Sequence, residues 1–346
     1  MSAEQNVAEQ VLELVGSDAE AEVTVNAGTS ALTRFANSFI HQNVGEEGAT
    51  VSLRLAVDGR VASGTTTNLD ADALDRFVAD TIEAARVQPV DPDWPGLVAP
   101  TAIPDLEHFD PAAADASPEL RAEQVKAFVD ADPDLSAAGY FETVGVKVAF
   151  ANSAGHRTAG RFSRAVLDGI QQTPTSSGSG HAAGVGPAAI DAATAGALAA
   201  QRARDGAVTF DTKPGEYEVV LAPECVATVA AFLSVYGFNA KAALEGQSFV
   251  RVGEAQFDSS ITLVDDVIDQ RALGIAFDSE GTPKQRLKLI DGGVTSSLAH
   301  DRRTARKAGT VSTGHATAGS DVWGPIAHTL FLEEGSDPVD EMIAGV

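Results

Sequence analysis

The stretch of sequence that decides the fold is residues 223–266, PECVATVAAFLSVYGFNAKAALEGQSFVRVGEAQFDSSITLVDD. Its first part predicts a helix, because apolar residues recur at steps of three and four and Pro223 is tolerated at a first helical position. Its last part predicts a strand, since the apolar, β-branched run at residues 261–264 stops at Asp265 and Asp266. We interpret these two aspartates as a strand-ending turn rather than as a catalytic carboxylate pair.

The layout of this stretch resembles the central segment of the TldD/PmbA family, whose PmbA branch is also called TldE. The TldD members are zinc metallopeptidases that carry His-Glu-x-x-x-His on this helix, shortly before a Leu-Glu-Gly. This chain has the Leu-Glu-Gly at residues 244–246, but residues 237–242 read Gly-Phe-Asn-Ala-Lys-Ala. We interpret Gly237, Phe238 and Ala242 as degenerate positions of the metal motif. The resemblance therefore implies the scaffold of a peptidase without its zinc site.

Further marks of the same family are spread over nearly the whole chain. The opening signature lies within residues 33–42, TRFANSFIHQ. Later marks are the turns at residues 278–283 and 289–293, followed by the Thr-Gly-His-Ala of residues 313–316. Together these spaced marks are more specific than any one of them.

Hydrophobic periodicity predicts an α+β fold, in which an N-terminal layer of helices and antiparallel sheet precedes a larger domain of curved antiparallel sheet with flanking helices. We predict three domains. Residues 1–88 form an N-terminal α+β domain, residues 89–206 a Pro-rich connector with a middle domain, and residues 207–346 a sheet-rich C-terminal domain. The family's members continue into further strands, so we expect the last domain to be truncated at its C-terminus.

The individual elements follow from the same patterns. In the first domain we predict two helices and four antiparallel strands, with the helices at residues 4–15 and 71–85 and the strands at residues 22–26, 30–44, 51–57 and 60–64. In the rest of the chain we predict a pair of strands at residues 139–150 and 157–170 and then a flexible Ser/Gly-rich loop at residues 173–186. A helix at residues 187–204 and one further strand at residues 216–221 follow. The loop lacks the Gly-Lys-Ser/Thr ending of a phosphate-binding loop.

The charge balance argues against two classes of partner. The chain has 49 acidic and 24 basic residues and a formal net charge of −25. Such a field repels phosphate backbones and anionic lipid, so we predict neither nucleic acid nor membrane as a partner. Solubility alone would explain the same charge.

The single cysteine and the absence of a targeting segment point to the cytoplasm. Cys225 cannot form an internal disulfide, which fits a reducing compartment. We interpret it as a cysteine packed in its helix rather than as a reactive thiol. No span is long enough for a transmembrane helix, and the N-terminus does not read as a signal peptide.

The histidines do not form a recognisable metal site. None is followed by glutamate, and no two have the spacing that places two ligands on one helical face; they are His41, His108, His156, His181, His300, His315 and His328. A zinc peptidase needs at least three protein ligands and a carboxylate that takes a proton from the bound water. No Gly-x-Ser-x-Gly lies between a strand and a helix either. A site assembled from distant residues stays open at this point.

Four residues are candidates for a peptide cleft: Asn37, His41, Ser248 and His315. Asn37 and His41 share the parity of one predicted strand and therefore one face of it. His315 lies in the Thr-Gly-His-Ala mark, where a cleft-facing residue and a structural histidine are both open readings.

The resemblance to the PmbA (TldE) branch implies a function. A subunit of that branch resembles its catalytic partner in fold, lacks the metal, and pairs with it around an enclosed chamber that cleaves unfolded peptides and modified precursors. We therefore expect no cofactor in this chain, zinc only in a TldD-like partner carrying HExxxH, and an unfolded peptide as substrate. The subunit could contribute sheet edge and chamber wall, binding extended peptide through its backbone. An acidic wall could discourage anionic peptides.

Two other classes of function remain open from the sequence. The first is a hydrolase that is active on its own, with a non-standard metal site built from scattered residues. The second is a peptide-binding assembly protein that works without a peptidase partner.

Overall fold

A long antiparallel sheet organises the first half of the chain. The computed structural model describes residues 1–346. The strands are β1 (Glu20–Ala36), β2 (Phe39–Val57), β3 (Arg60–Thr66), β4 (Ser136–Asn152), β5 (Arg157–Gln172) and β6 (Ser177–Gly184). Their order in the sheet is β3-β2-β1-β4-β5-β6, and each neighbouring pair is antiparallel. Because β1 pairs with β4, strands of the first two predicted domains share one sheet.

The helices before and after these strands cover one face of the sheet. They are α1 (Ala3–Val15), α2 (Ala71–Arg86), α3 (Pro111–Ala114), α4 (Pro118–Asp130) and α5 (Ala192–Asp205). One apolar cluster joins α1 and α2 to β1 and β2, with Val23 and Leu53 fully buried in it. A second cluster joins α4 and α5 to β4 and β5, with Phe128 packed against Phe35. Val23 and Phe35 have the same parity on β1, so both clusters lie on one face.

The first domain contains three strands, so the prediction of four is wrong. Strand β1 runs through residues 27–29 without a break, and the chain reverses at Asn37 and Ser38 instead. Both turn residues have positive φ, 50° and 63°, which suits the twist of a two-residue hairpin. The Ser38 hydroxyl donates to the Leu135 carbonyl at 3.3 Å and accepts from the Ala137 amide at 3.0 Å. These contacts offset the strain of a left-handed serine.

Residues 177–184 form a strand, so the prediction of a flexible loop over residues 173–186 is wrong. The glycines that suggested flexibility allow close packing of β6 against α5. A Cβ on Gly178 would lie 2.2 Å from the Ala199 carbonyl oxygen, and one on Gly180 would lie 2.0 Å from that of Ala195. Glycine is required at both positions because the helix backbone occupies the space of a side chain.

The C-terminal part of the chain has a smaller sheet. Its strands are β7 (Leu263–Asp265), β8 (Leu287–Asp291), β9 (Val294–Thr295) and β10 (Leu330–Leu332), in the order β10-β7-β8-β9. Its helices are α6 (Pro223–Phe232), α7 (Ala240–Leu244), α8 (Arg302–Ala308), α9 (Ser320–Trp323) and α10 (Val339–Ala344). The predicted α+β fold with antiparallel sheets is thus confirmed, while the predicted strand at residues 216–221 is absent.

The C-terminal part packs against the face of the long sheet that the helices leave free. Val148 and Phe150 of β4 contact Phe277 there in a small apolar cluster. None of the helices is both long and apolar enough to span a bilayer.

Candidate functional site

The residues that stand where the family's metal motif should lie form part of the fold. Helix α6 begins with Pro223 at its first turn, as predicted, and continues into one π-helical turn, Leu233–Gly237. Phe238 follows it and is fully buried, with its ring stacked on Phe257 at 6.2 Å. The position that corresponds to the glutamate of the motif is therefore occupied by a core side chain.

The next residue of the segment caps a helix. The Asn239 side-chain oxygen accepts hydrogen bonds from the Lys241 and Ala242 amides at 2.9 and 3.3 Å, which fixes the start of α7. Its amide nitrogen donates to the Trp323 carbonyl at 2.7 Å. Both ends of this buried side chain are therefore engaged, and Ala242 has no donor atom for a metal.

Ser248 closes the loop that follows α7. Its hydroxyl donates to the Gly237 carbonyl oxygen at 2.7 Å and accepts from the Val250 amide at 3.1 Å. This half-buried serine lies beside the degenerate motif positions, but both contacts are structural. Its hydroxyl proton is already donated within the chain.

A buried chain of polar groups crosses the C-terminal part. Asp265, on β7, contacts His315 with 3.1 Å between Oδ1 and Nε2 and accepts from the Thr329 amide at 2.7 Å. The other His315 ring nitrogen is 2.9 Å from the Thr313 hydroxyl oxygen, which accepts from the His300 amide at 2.7 Å. Burial alone would raise the pKa of Asp265, but the hydrogen bonds from His315 and Thr329 hold it below its ordinary value.

This polar chain ends at a groove beside α7. The groove has a volume of about 450 Å³, and its walls include Leu244, Val252, Ser297, Leu298, His300 and Thr313. Burial, followed by the neighbouring His315, lowers the pKa of His300, which favours a neutral imidazole. Asp265, His315 and Thr313 follow one another in the order of a nucleophilic triad. The Thr313 hydroxyl, however, has two partners within the fold: its oxygen is 3.1 Å from the His300 carbonyl oxygen and 2.9 Å from the His315 ring nitrogen.

A second buried polar cluster joins the two parts of the molecule. Arg54 of β2 contacts Glu22 of β1 at 2.6 Å and Glu280 at 2.7 Å. The other Glu280 oxygen accepts from the Arg302 amide at 2.9 Å. Burial raises the pKa of Glu22 to about 7, although the charge of Arg54 opposes the rise. One guanidinium therefore holds two buried carboxylates at the contact between the sheet and the C-terminal part.

Two family models match this chain. One, described as PmbA/TldA metallopeptidase domain 1, covers residues 21–85, and the other, described as PmbA/TldA metallopeptidase C-terminal domain, covers residues 214–346. Together they cover more than half of the sequence. The chain belongs to the PmbA/TldD metallopeptidase family.

Two individual relatives match parts of the chain. A metalloprotease of Archaeoglobus fulgidus is 28% identical over 110 residues, which is 31% of this chain and 26% of that protein. An uncharacterized protein of Methanocaldococcus jannaschii is 27% identical over 127 residues, 36% of this chain and 30% of that protein. The matched stretches thus span under a third of the length of each of these two relatives.

A solved structure shows that the likeness extends to the whole fold. The crystal structure of TldE from Thermococcus kodakarensis is similar to this chain with a TM-score of 0.84 at 17% identity. The comparison covers 99% of this chain and 80% of that one. At this level of identity the match shows a shared fold.

The structure does not fit the metal site that the family's metallopeptidases imply. No three His, Cys, Asp or Glu side chains of the chain come together as metal ligands would. Gly237 and Ala242 stand at the histidine positions of the PmbA/TldD motif and Phe238 at its glutamate, so none of these side chains can bind a metal. We therefore derive no catalytic step through a metal in this chain.

The four candidate cleft residues lie in two separate places. Asn37 is exposed in the hairpin turn, and His41 is exposed at a bulge, where Arg34 pairs with Gln42 and Phe35 with Ile40. The shared parity of Asn37 and His41 on one strand is therefore wrong, because a turn and a bulge separate them. Asn37 is 15 residues from Glu22 along the chain, about 50 Å at the rise of a β-strand, and His41 lies level with Arg34 and Phe35 near the same end of the sheet.

The other two candidates belong to the C-terminal part. His315 is buried within the polar chain, with 1% of its side chain exposed, so the reading as a cleft-facing residue is wrong. Ser248 lies beside the motif positions. Asp265 is the last residue of β7, and Asp266 accepts a hydrogen bond from the Ile268 amide at 3.0 Å, so the strand ends in a turn at these two residues as predicted. Asp266 contacts Arg286 at 3.3 Å, whereas Asp265 contacts His315, so the two do not act as a carboxylate pair.

Sequence reasoning missed the residues that the structure brings together. His300 and Thr313 contact each other across twelve residues of intervening chain, and the spacing of the histidines carries no sign of it. Glu22 and Arg54 did carry a signal. Each is a charged residue within an alternating strand, at positions whose neighbours on the helix-covered face are apolar.

Proposed function

We propose that this protein is the metal-free subunit of a TldD/TldE-type peptidase complex that takes part in proteolysis of unfolded or modified peptides. The observation that carries the proposal is the state of the motif segment. At the two histidine positions of the motif this chain has Gly237 and Ala242, whose side chains cannot bind a metal, and the fully buried Phe238 stands in place of the glutamate. Zinc would then belong to a TldD-like partner carrying HExxxH, and this chain would have no cofactor of its own.

An exposed apolar surface next to the motif segment supports the need for a partner. Helix α6 has no buried residue, although it is one of the most apolar segments of the chain. Phe232 and Tyr236 stack at 6.0 Å with about 60% of each side chain exposed. Contiguous apolar surface of this kind marks interaction sites in proteins. We propose that the catalytic subunit covers it, in the cytoplasm.

The same surface corrects the expectation for the cysteine. Cys225 lies on α6 and is exposed, so the prediction of a packed residue is wrong. The physical reason is that no residue of α6 is buried, so the helix offers the thiol no packed surroundings.

The proposal is tested by co-expression with a TldD-like protein that carries HExxxH. We expect a stable complex by size-exclusion chromatography, zinc in the partner subunit only, and cleavage of an unfolded peptide by the pair but by neither subunit alone. The double variant Phe232→Glu, Tyr236→Glu is expected to weaken the complex at least tenfold. Val87→Glu, at an apolar residue that is 80% exposed and follows α2 in the N-terminal part of the chain, is the matched control. Stoichiometric zinc on this chain alone would overturn the proposal.

A hydrolase that is active alone is the second candidate, since Asp265, His315 and Thr313 end at a groove. If this chain uses Thr313 as a nucleophile, the purified chain cleaves peptides and Thr313→Val abolishes that cleavage. We expect no cleavage by the chain alone, because the hydroxyl is engaged within the fold.

A peptide-binding assembly protein without a peptidase partner is the third candidate. It predicts that Phe232→Glu, Tyr236→Glu leaves the cellular role unchanged. A stable complex with an HExxxH-bearing relative would argue against it.

A further inference from the structure

One long stretch of β2 has a neighbour on one side only. Strand β2 pairs with β1 along nearly its whole length, but β3 pairs only with its last seven residues, Val51–Val57. Residues 39–50, which we call the open edge, therefore have no strand on the side away from β1. Natural edge strands are commonly protected by lysine or proline, and the open edge has neither.

The turn between β2 and β3 determines which backbone groups face the open side. Val57 and Arg60 flank the two-residue turn Asp58-Gly59, so they form a hydrogen-bonded pair across the hairpin. Every second residue back along β2 then points its N–H and C=O to the same side. The register with β1 has no shift between Ala56 and Gln42, so this alternation continues along the open edge.

The groups that face outward are those of Asn43, Gly45, Glu47 and Ala49. None of their backbone N–H or C=O groups forms a hydrogen bond outside the strand ladders, with loop or side chain. The first three residues are exposed, and Ala49 is half-buried. The open edge thus offers an ordered row of free donors and acceptors at the spacing of a β-strand.

The open edge is also negatively charged at its centre. Glu46 and Glu47 are exposed, and neither forms an ion pair with any residue of the chain. Their partners on β1 are Ser30 and Thr29, which carry no charge. Successive side chains of a strand point to opposite faces, so one carboxylate lies on each face of the sheet.

We propose that the open edge binds an extended peptide segment as an added strand and that Glu46 and Glu47 select a net-positive one. Backbone hydrogen bonds would supply affinity without regard to sequence, as in other cases of strand addition. Two consecutive basic residues of the peptide, opposite Glu46 and Glu47, would each meet a carboxylate on their own face. The proposal rests on the proposed function, whose substrate is an unfolded peptide.

A second copy of this chain is a poorer occupant of the same edge. It would bring its own Glu46 and Glu47 into one short ladder, where like charges destabilise pairing. A peptide with lysines at the centre has no such conflict.

The first test uses the full chain without any partner and fluorescent twelve-residue peptides that differ only at two central residues, Lys-Lys, Gln-Gln or Glu-Glu. Fluorescence anisotropy is expected to rank affinity in that order, with about tenfold between the Lys-Lys and Gln-Gln peptides. The variant Glu46→Gln, Glu47→Gln should remove this preference while leaving the Gln-Gln peptide bound. Glu83→Gln, on the solvent side of α2, is the matched control. Persistence of the preference in the double variant would overturn the charge selection.

The second test asks whether the peptide is held as a strand. Two Lys-Lys peptides are N-methylated on alternate amides, one on the even positions and the other on the odd positions. Only one of these sets can face the open edge, so one peptide should lose at least tenfold in affinity and the other should keep it. Equal binding of both peptides would overturn strand addition.

The outcome separates this proposal from the proposed function. If strand addition holds but no complex forms with a TldD-like protein, the peptidase role fails while the site stands. If the complex cleaves peptides but the charge and methylation series show no preference, the site fails alone. If sedimentation shows a dimer of this chain that dissociates on addition of the Lys-Lys peptide, the open edge belongs to a second copy of the chain, and the proposal of a peptide ligand is overturned.

Discussion

The six-stranded sheet and the C-terminal part differ in what each buries. The sheet buries apolar side chains under the helices that cover one of its faces and leaves backbone groups free along residues 39–50 of β2. The C-terminal part buries a chain of polar side chains from Asp265 to His300 and leaves apolar residues of α6 exposed. The sheet is thus complete in its core and open at its edge, whereas the C-terminal part has an apolar surface that its own residues leave uncovered.

This difference suggests separate roles for the two regions. A free strand edge suits an extended, sequence-tolerant ligand, because it binds through the backbone. An exposed apolar helix suits a folded partner, because its stability gain depends on buried area. The three predictions below are ordered by expected effect, and each would break or sharpen this comparison.

The largest expected effect is at Phe238, the residue that fills the motif position. Phe238→Ala should lower the free energy of unfolding by about 3–5 kcal/mol, because a fully buried ring is replaced by a cavity. Urea denaturation of the chain alone measures it. Phe249→Ala, at a ring that is 52% exposed in the same region, is the control and should cost less than about 1 kcal/mol. Similar small losses for both would show that the motif segment is not held as core.

The second effect concerns the contact between the two regions and depends on pH. Because burial raises the pKa of Glu22 to about 7 from an ordinary 4.5, the folded state holds its proton more tightly than the unfolded state. The stabilisation that Glu22 gives to the folded state is therefore fully present below pH 4.5 and is lost as the pH rises to 7. Relative to Glu22→Gln, the wild type should lose up to about 3 kcal/mol of unfolding free energy over that window.

Urea denaturation of wild type and Glu22→Gln at several pH values isolates this group. Glu47→Gln, an exposed glutamate of the same sheet, should follow the wild-type curve throughout. If the free energies of unfolding of the wild type and of Glu22→Gln change in parallel with pH, Arg54 keeps Glu22 ionised over the whole window and the pKa of Glu22 is not raised.

Local signals in the sequence predicted much of the fold. The hairpin between the strands predicted at residues 51–57 and 60–64 and the position of Pro223 at the start of α6 are both confirmed, because each depends on residues a few positions apart. The turn at Asn37 and Ser38 was missed, since neither residue is glycine and the strain is offset by Leu135 and Ala137 about a hundred residues away. Contacts of that range leave no periodic trace.

The candidate site shows the same limit. Gly178 and Gly180 suggested flexibility, but their meaning depends on α5 packing against them. For His315 the sequence left open a cleft-facing residue and a structural histidine. Only its contact with Asp265, fifty residues earlier, shows that it is buried.

The smallest expected effect separates the two neighbouring aspartates of the C-terminal sheet. Asp265→Asn removes the charge that faces His315 and should cost about 1–3 kcal/mol at pH 7, because a buried charged hydrogen bond becomes a neutral one. Since the pKa of Asp265 is lowered, its contribution is present above pH 3.8 and is lost as the pH falls below that value. The difference between wild type and variant in urea denaturation should therefore shrink toward acid. Asp266→Asn is the matched control, and because its partner Arg286 is half exposed, it should cost less than about 1 kcal/mol. If the two variants lose the same free energy of unfolding, the buried polar chain stabilises the fold no more than the pair of Asp266 and Arg286 does. The contrast between the C-terminal part and the six-stranded sheet would then fail.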